Sequence, residues 1–214
     1  VTVNAVDANW NKVSSTNIVG ITSTDGNATL PANAALVAGT KAFSVTLKTS
    51  GTATVTATDV TDGTKTANTS PSITVDAGAF VKLQLLVPGE TAAPGTTTGK
   101  TGTPSARTSG GAFSVTVNAV DANWNLINTV VDNVGITSSD GNADLPVNAV
   151  LVAGTETFSV TLNTSGTATV TATDITDGGK TANTSPSITV GAGAFTKLQL
   201  LVPGETAAPG TTTG

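Results

Sequence analysis

The sequence predicts an all-β protein built from antiparallel β-sandwiches in tandem. Three observations predict it. Apolar residues alternate with Thr and other polar residues over short runs, which is the period of a half-buried strand. Pairs such as Asp25-Gly26 and Ser50-Gly51 separate these runs and are typical of turns. The whole pattern occurs twice, beginning at Val1 and again at Val115, and no helical period accompanies it.

The repeat has the size of a domain. Residues 1–11 read VTVNAVDANWN, and residues 115–125 repeat them without change. Residues 82–99 read KLQLLVPGETAAPGTTTG and are repeated at 197–214. Solenoid repeats are much shorter, about 20–50 residues. We therefore expect an independently folding module that recurs along the chain.

The strands of the second copy can be placed from alternation and turns. We place them near residues 80–87, 112–121, 133–138, 148–152, 156–163, 167–174 and 185–190. In the second of these strands the apolar face comprises Phe113, Val115, Val117 and Ala119. Thr on the opposite face is β-branched and carries a hydroxyl, so it suits a solvated pleated surface. Seven short strands in a module of this size are typical of an immunoglobulin-type sandwich.

Two segments lie between the predicted strands. The stretch 88–111 is rich in Pro, Gly and Thr, and we expect it to cross between the sheets or to form a long exposed edge. Trp124 follows the strand at 112–121, where we expect it to cap one end of the core, and we expect the same of Trp10 in the first copy. A role for both tryptophans in stacking on a sugar ring is the alternative.

The composition excludes several classes of function. The chain has no Cys and no His, so it has no disulfide, no zinc site with thiolate or imidazole ligands, and no Ser-His-Asp triad. Nine Lys+Arg against fourteen Asp+Glu give no basic surface for nucleic acid. No apolar run is long enough to span a membrane. No cleft with paired carboxylates is indicated, so we predict that the protein is not an enzyme. The absence of Met predicts a mature piece or a window on a longer chain.

A family resemblance rests on a series of motifs. AFSVTVNAVDANWN is followed by ALVAGT- and FSVTL-type segments and by TATVTATD. This series resembles the bacterial Ig-like tandem repeats of large surface proteins, the invasin-type adhesins and haemagglutinin-like proteins, and it covers essentially the whole chain. The resemblance implies an extracellular stalk or fibre at the cell surface and implies no catalytic residues.

The repeat predicts where the domains begin and end. We expect an Ig-like domain without its first strand at 1–78, a complete domain at 79–193, and an unaccompanied first strand at 194–214. A sandwich without one strand has an open edge and an uncovered apolar strip. The segment 194–214 carries what would fill it, namely Leu198, Leu200 and Val202. The predicted partner is therefore another copy of the chain, joined head to tail.

Two assemblies agree with this organisation. The chain is either a window on a long covalent array or a subunit whose 194–214 strand completes the first domain of its neighbour by strand addition. Both predict an extracellular structural module that adds length to a fibre or an adhesin stalk. The alternative is an adhesive module that binds a glycan or a host-cell surface through its loops. The near identity of the two copies favours spacing, because binding loops should be specialised.

One loop in each copy has the spacing of calcium ligands. Oxygen-bearing side chains alternate at Asp7, Asn9 and Asn11, and again at Asp121, Asn123 and Asn125. The later Gly and bidentate Glu of a calcium loop are missing, so a turn held by the Asp side chain is the competing interpretation. No other cofactor is predicted. Asp59 with Asp62, and Asp174 with Asp177, are acidic pairs better explained as hairpin loops.

Overall fold

The computed structural model describes residues 1–213, which form twenty β-strands and no helix. The predicted all-β class, with antiparallel sheets, is confirmed. The chain divides into two compact units, Val1–Ala77 and Gly78–Gly214. Among the described residues there is no helix that is long and apolar enough to cross a membrane.

The first unit contains eight short strands. They are β1 (Thr2–Asn4), β2 (Ile18–Ser23), β3 (Ala34–Ala35), β4 (Thr40–Ala42), β5 (Gly51–Ala53), β6 (Val55–Asp59), β7 (Asn68–Thr69) and β8 (Ile73–Val75). A four-stranded sheet has the order β3-β2-β6-β7, and β1 pairs with β4 and β5 with β8. All of these pairs are antiparallel.

The second unit contains twelve strands. They are β9 (Lys82–Leu86), β10 (Glu90–Ala92), β11 (Lys100–Gly102), β12 (Arg107–Thr108), β13 (Ala112–Val120), β14 (Asn133–Ser138), β15 (Ala149–Val150), β16 (Thr155–Thr161), β17 (Gly166–Ala168), β18 (Val170–Asp174), β19 (Asn183–Thr184) and β20 (Ile188–Gly191). The sheets are β16-β13-β9, β15-β14-β18-β19, β12-β20-β17 and the hairpin β10-β11. Residues 194–213 contain no strand.

Several details differ from the sequence-based placement of strands. The first strand expected at 194–214 is not formed within the described residues 194–213, and β19 lies outside the predicted strands. The single strand expected at 167–174 is divided into β17 and β18, which belong to different sheets. The division falls at Thr169, whose carbonyl accepts bonds from the Ser139 amide and the Ser138 hydroxyl. The stretch 88–111 contains its own hairpin, β10-β11, and then β12, which pairs in parallel with β20.

The two units have cores of very different size. Eighteen buried apolar residues form one cluster in the second unit, whereas five form the cluster of the first, namely Val19, Ile21, Leu36, Phe43 and Val55. The predicted apolar face of β13 is confirmed, because Val115, Val117 and Ala119 are completely buried. The core of the second unit includes Leu83 and Leu85 of β9, and no strand holds that position in the first unit.

Candidate functional site

The candidate site is the open edge of β1 in the first unit. β1 pairs with β4 along one side only. Beside it lies a cavity of about 110 Å³. The lining residues come from β1, β2, β6 and the β7 region, namely Val1, Thr2, Val3, Ile21, Val55, Ala57, Asn68 and Ser70. The site therefore combines an unpaired backbone edge with a hollow lined mainly by apolar residues, the two features that receive an added strand.

The second unit shows what occupies the equivalent place when the sandwich is complete. There β13, which repeats the sequence of β1, pairs with β16 on one side and with β9 on the other. Leu85 of β9 lies opposite Val117, and Leu83 lies opposite Ala119. Both leucines are completely buried, and Val87 just beyond β9 is 2% exposed. β9 and the residue after it thus supply three core side chains.

β9 is also held by polar contacts that the alternation pattern did not predict. Gln84 points away from the leucines, yet it is buried because the loop before β11 covers it. Its amide nitrogen donates to the Gly99 carbonyl (2.6 Å), and its side-chain oxygen accepts from Asn118 (2.9 Å). Asn118 in turn accepts from the Thr155 hydroxyl (2.8 Å). Fully paired buried networks of this kind fix one strand register.

Trp124 is covered from the same segment of chain. Lys82 at the start of β9 lies 3.5 Å from the centre of the indole ring, and its ammonium donates to the Ala122 carbonyl (2.9 Å). Burial lowers the pKa of Lys82, partly offset by Asp121. Gly99 has a φ of +75° and lies so close to the indole that a Cβ would overlap the ring. The indole nitrogen donates to the Thr97 carbonyl (3.2 Å).

Trp10, the equivalent residue of the first unit, has none of this cover. Its side chain is 71% exposed, although its φ of +65° matches the +68° of Trp124. The expectation that the tryptophans cap the core is therefore wrong for Trp10. The backbone of the loop keeps its form while the indole is exposed to solvent.

The two loops proposed to bind calcium fold as Asp-centred turns. One carboxylate oxygen of Asp121 accepts from the Asn123 and Asn125 amides, and the other accepts from the Asn125 side chain and the Gly78 amide. Burial works to raise the pKa of Asp121, but these donors lower it below its ordinary value.

The loop of the first unit has the same arrangement. The carboxylate of Asp7 accepts from the amides of Asn9 and Asn11 and from the Asn11 side chain, and these bonds lower its pKa. No group of three or more acidic side chains suited to a metal occurs within residues 1–213. Calcium binding at either loop stays a hypothesis.

The segment 194–213 exposes the apolar residues expected to act in assembly. Leu198 is 89% exposed, Leu200 is 86% and Val202 is 53%. Their sequence equivalents in the second unit are Leu83, Leu85 and Val87. Exposed apolar side chains of this size in one short segment are typical of a surface that contacts a partner.

The same segment keeps the turns of its sequence equivalent. The Val202 amide donates to the Glu205 carboxylate (3.0 Å), as the Val87 amide does to Glu90 (3.2 Å). Gly204 has a φ of +101° where Gly89 has +97°. The Thr211 hydroxyl donates to the Ala208 carbonyl (2.7 Å), as Thr96 does to Ala93. The turn at Gly204 is therefore set by local sequence, without strand pairing. The turn at Thr211 also contacts its own unit, where the Asn142 side chain donates to the Pro209 carbonyl (3.2 Å).

Sequence reasoning missed a pair of carboxylates in the second unit. Burial and then the carboxylate of Asp174 raise the pKa of Asp132. Asp174 is 3% exposed, and its Oδ2 atom has no hydrogen-bond partner. In the first unit the equivalent pair is Asn17 and Asp59, and the side-chain amide of Asn17 donates to the Asp59 carboxylate (2.7 Å). Alignment of the copies at Gly20 and Gly135 is the signal that identifies this exchange of Asn for Asp.

Comparison with known proteins gives structural likeness only. No protein-family model matches the chain, and no curated protein matches it by sequence. Among solved structures, the Parabacteroides merdae β-glucuronidase matches 81% of this chain with a TM-score of 0.38 and 11% identity. Domains 4 and 5 of the S-layer protein SbsC match 88% of this chain and 80% of theirs, with a TM-score of 0.35 and 18% identity. A β-glycosidase from Bacteroides vulgatus matches 81% with a TM-score of 0.42 and 9% identity.

The chain spans about a fifth of the length of the glycosidases, 21% in both cases. At these identities and TM-scores the likeness carries no argument about activity, ligand or location. The resemblance to adhesin repeats and the absence of an enzymatic role therefore stay predictions. The candidate site rests on the geometry of the chain itself.

Proposed function

We propose that the protein is a structural module of an extracellular fibre or adhesin stalk, in which Ig-like units follow one another head to tail and add length. One observation carries the proposal. The sequence of β9, the strand that completes the second unit, occurs again at 197–201 with its leucines exposed. In the first unit, β1 repeats the part of β13 that pairs with β9, and its edge there is unpaired.

The mechanism needs no reacting group. Each unit buries a core of its own, and one sequence motif supplies the first strand of whichever unit follows it. Copies can therefore be added without new interfaces, as expected for tandem modules. The strand comes either through the covalent chain or from a neighbouring subunit, and both routes give the same repeating unit.

The proposal is tested with covalent arrays of increasing repeat number, extended by the sequence of residues 79–193. Electron microscopy of the purified arrays should show rods whose contour length rises in proportion to the number of repeats. Arrays that collapse into compact particles, with a length independent of repeat number, would contradict a role in spacing. This experiment does not depend on association between separate chains.

A second candidate function is adhesion to a glycan, and the exposed indole of Trp10 favours it. Aromatic faces that project into solvent can stack on a sugar ring. A glycan array probed with the 214-residue chain should then show saturable binding that Trp10→Ala abolishes. Val13→Ala, which truncates another exposed apolar residue, serves as the control and should leave binding unchanged. Absence of saturable binding would remove this candidate.

A further inference from the structure

We propose that residues 194–213 of a second copy add to the free edge of β1 in one defined register, and that Trp10 closes over the added strand as a latch. The inference rests on the proposed structural role and names the partner and the contacts of its assembly site. It commits to one occupant, a second copy of this chain.

The register follows from the β9-β13 pairing. In the second unit Lys82 lies opposite Val120, and Leu86 lies opposite Thr116. β1 and the residues after it repeat that part of β13, so the same pairing places Leu198 opposite Ala5 and Leu200 opposite Val3. Leu198 and Leu200 then point to the hollow beside β1, as Leu83 and Leu85 point to the core of the second unit. A slip by one residue would turn both leucines to the solvent face.

The polar partners of the strand are already in position. Asn4, the equivalent of Asn118, accepts from the Thr40 hydroxyl (2.7 Å), just as Asn118 accepts from Thr155. Gln199 of the second copy completes this network in place of Gln84. Asn68 lines the cavity, and its equivalent Asn183 accepts the backbone amide of Leu85 (2.9 Å). In the proposed complex the Asn68 side chain therefore accepts a hydrogen bond from the backbone amide of Leu200.

Trp10 supplies the latch. Its backbone already has the conformation of Trp124, and only the cover of the indole is missing. In the proposed register Lys197 occupies the place of Lys82 and lies over the indole as a cation–π partner. The strand and the loop after β1 are thereby fixed together.

Residues 194–213 cannot pair with β13 in their own second unit. β9 already occupies the edge of β13 and fills the core there. Because 194–213 keeps the turn at Gly204, part of the entropic cost of ordering this segment is met before it binds. The apolar side chains of the segment are exposed in the free chain, so changing them alters association and leaves the fold intact.

The test uses the full chain with Trp124→Phe, which leaves Trp10 as its one tryptophan in a protein without tyrosine. As concentration rises, the fluorescence emission of Trp10 should move to shorter wavelength while light scattering shows oligomers growing in steps of one chain. Leu200→Asp in the same background should weaken this association at least about a hundredfold, since an unpaired carboxylate would enter the hollow. A synthetic peptide of residues 194–213 in excess should cap the oligomers and still shift the emission.

Thr206→Asp is the matched control, because the equivalent Thr91 is exposed in the second unit. It adds the same charge to the same segment and should leave association unchanged. A blue shift in a chain that stays monomeric would show that the segment folds back within one copy, which overturns the second-copy proposal. Trp10 emission that does not move at any concentration would overturn it as well. In both cases rod formation by covalent arrays tests the structural role separately.

Discussion

At the scale of single residues, identical amino acids at equivalent positions of the two units differ in burial, because different segments cover them. Asp121 and Asn125 are 3% and 2% exposed, whereas Asp7 and Asn11 are exposed. Yet Asp7 keeps the amide bonds that Asp121 makes within its loop. The loop conformation is local and follows from the Asp side chain, while its burial depends on a strand supplied from elsewhere in sequence.

Because the second unit has Asp132 where the first unit has Asn17, we predict that the stability of the second unit depends on pH. A folded-state pKa raised above the ordinary value means that the folded chain holds its proton more tightly, so this part of the stability is present at low pH and is lost as pH rises through the raised pKa. At neutral pH Asp132→Asn should stabilise the second unit. Because solvent screens the two carboxylates, the free energy of unfolding should rise by about 0.5–1 kcal/mol.

Asn17→Asp is the reciprocal change and should destabilise the first unit at neutral pH, because it removes the bond to Asp59 and sets two carboxylates together. Denaturant unfolding of both variants at acidic and neutral pH measures the effect. If Asp132→Asn gave no gain at neutral pH, or the same gain at acidic pH, the carboxylate pair would carry no such penalty.

The geometry of the Asp7 and Asp121 loops gives a prediction about calcium. Both oxygens of each carboxylate already accept hydrogen bonds from nitrogen donors, which leaves little capacity to bind a cation without opening the turn. We therefore expect the same melting temperature in excess calcium and after chelation. A rise in melting temperature with calcium that Asp121→Asn abolishes would restore the calcium hypothesis.

At the scale of elements, one sequence has two states in the same chain. Residues 82–86 are a buried strand, and the same letters at 197–201 form no strand. Alternation of Leu83, Gln84 and Leu85 predicts a strand from sequence and indicates its apolar face. It could not predict that Gln84 is buried too, because that depends on the loop at 93–99 folding over the outer face.

This duplication gives a matched pair of substitutions. Leu85→Ala should destabilise the second unit by about 2–5 kcal/mol, since it leaves a cavity in the main core. Leu200→Ala makes the same chemical change on a side chain that is 86% exposed and should leave unfolding of the dilute chain unchanged. Denaturant titration of the two variants checks both values. An equal loss in both would mean that Leu200 packs within its own chain.

At the scale of the whole molecule, the difference in core size predicts unfolding in two steps. The first unit has five buried core residues and an open edge, so it should unfold at lower denaturant than the second unit with eighteen. Amide hydrogen exchange read out by mass spectrometry should show less protection in β2 and β6 than in β14 and β18.

Binding of the 194–213 peptide to the first unit provides the control for the prediction of two-step unfolding. Anything that binds the folded first unit stabilises it by mass action. Addition of the 194–213 peptide should therefore raise protection in β2 and β6 and leave β14 and β18 unchanged. A single transition shared by both units, unaffected by the peptide, would contradict the asymmetry.

The sequence by itself determined the all-β class, the repeat and the apolar faces of the strands. These follow from side-chain periodicity and turn chemistry, which act over a few residues. Only the tertiary structure decided which of two identical strands is buried, that Trp10 is exposed while Trp124 is covered, and that β17 and β18 belong to different sheets. Burial depends on the partner that lies across a strand, and residues far apart in sequence supply that partner.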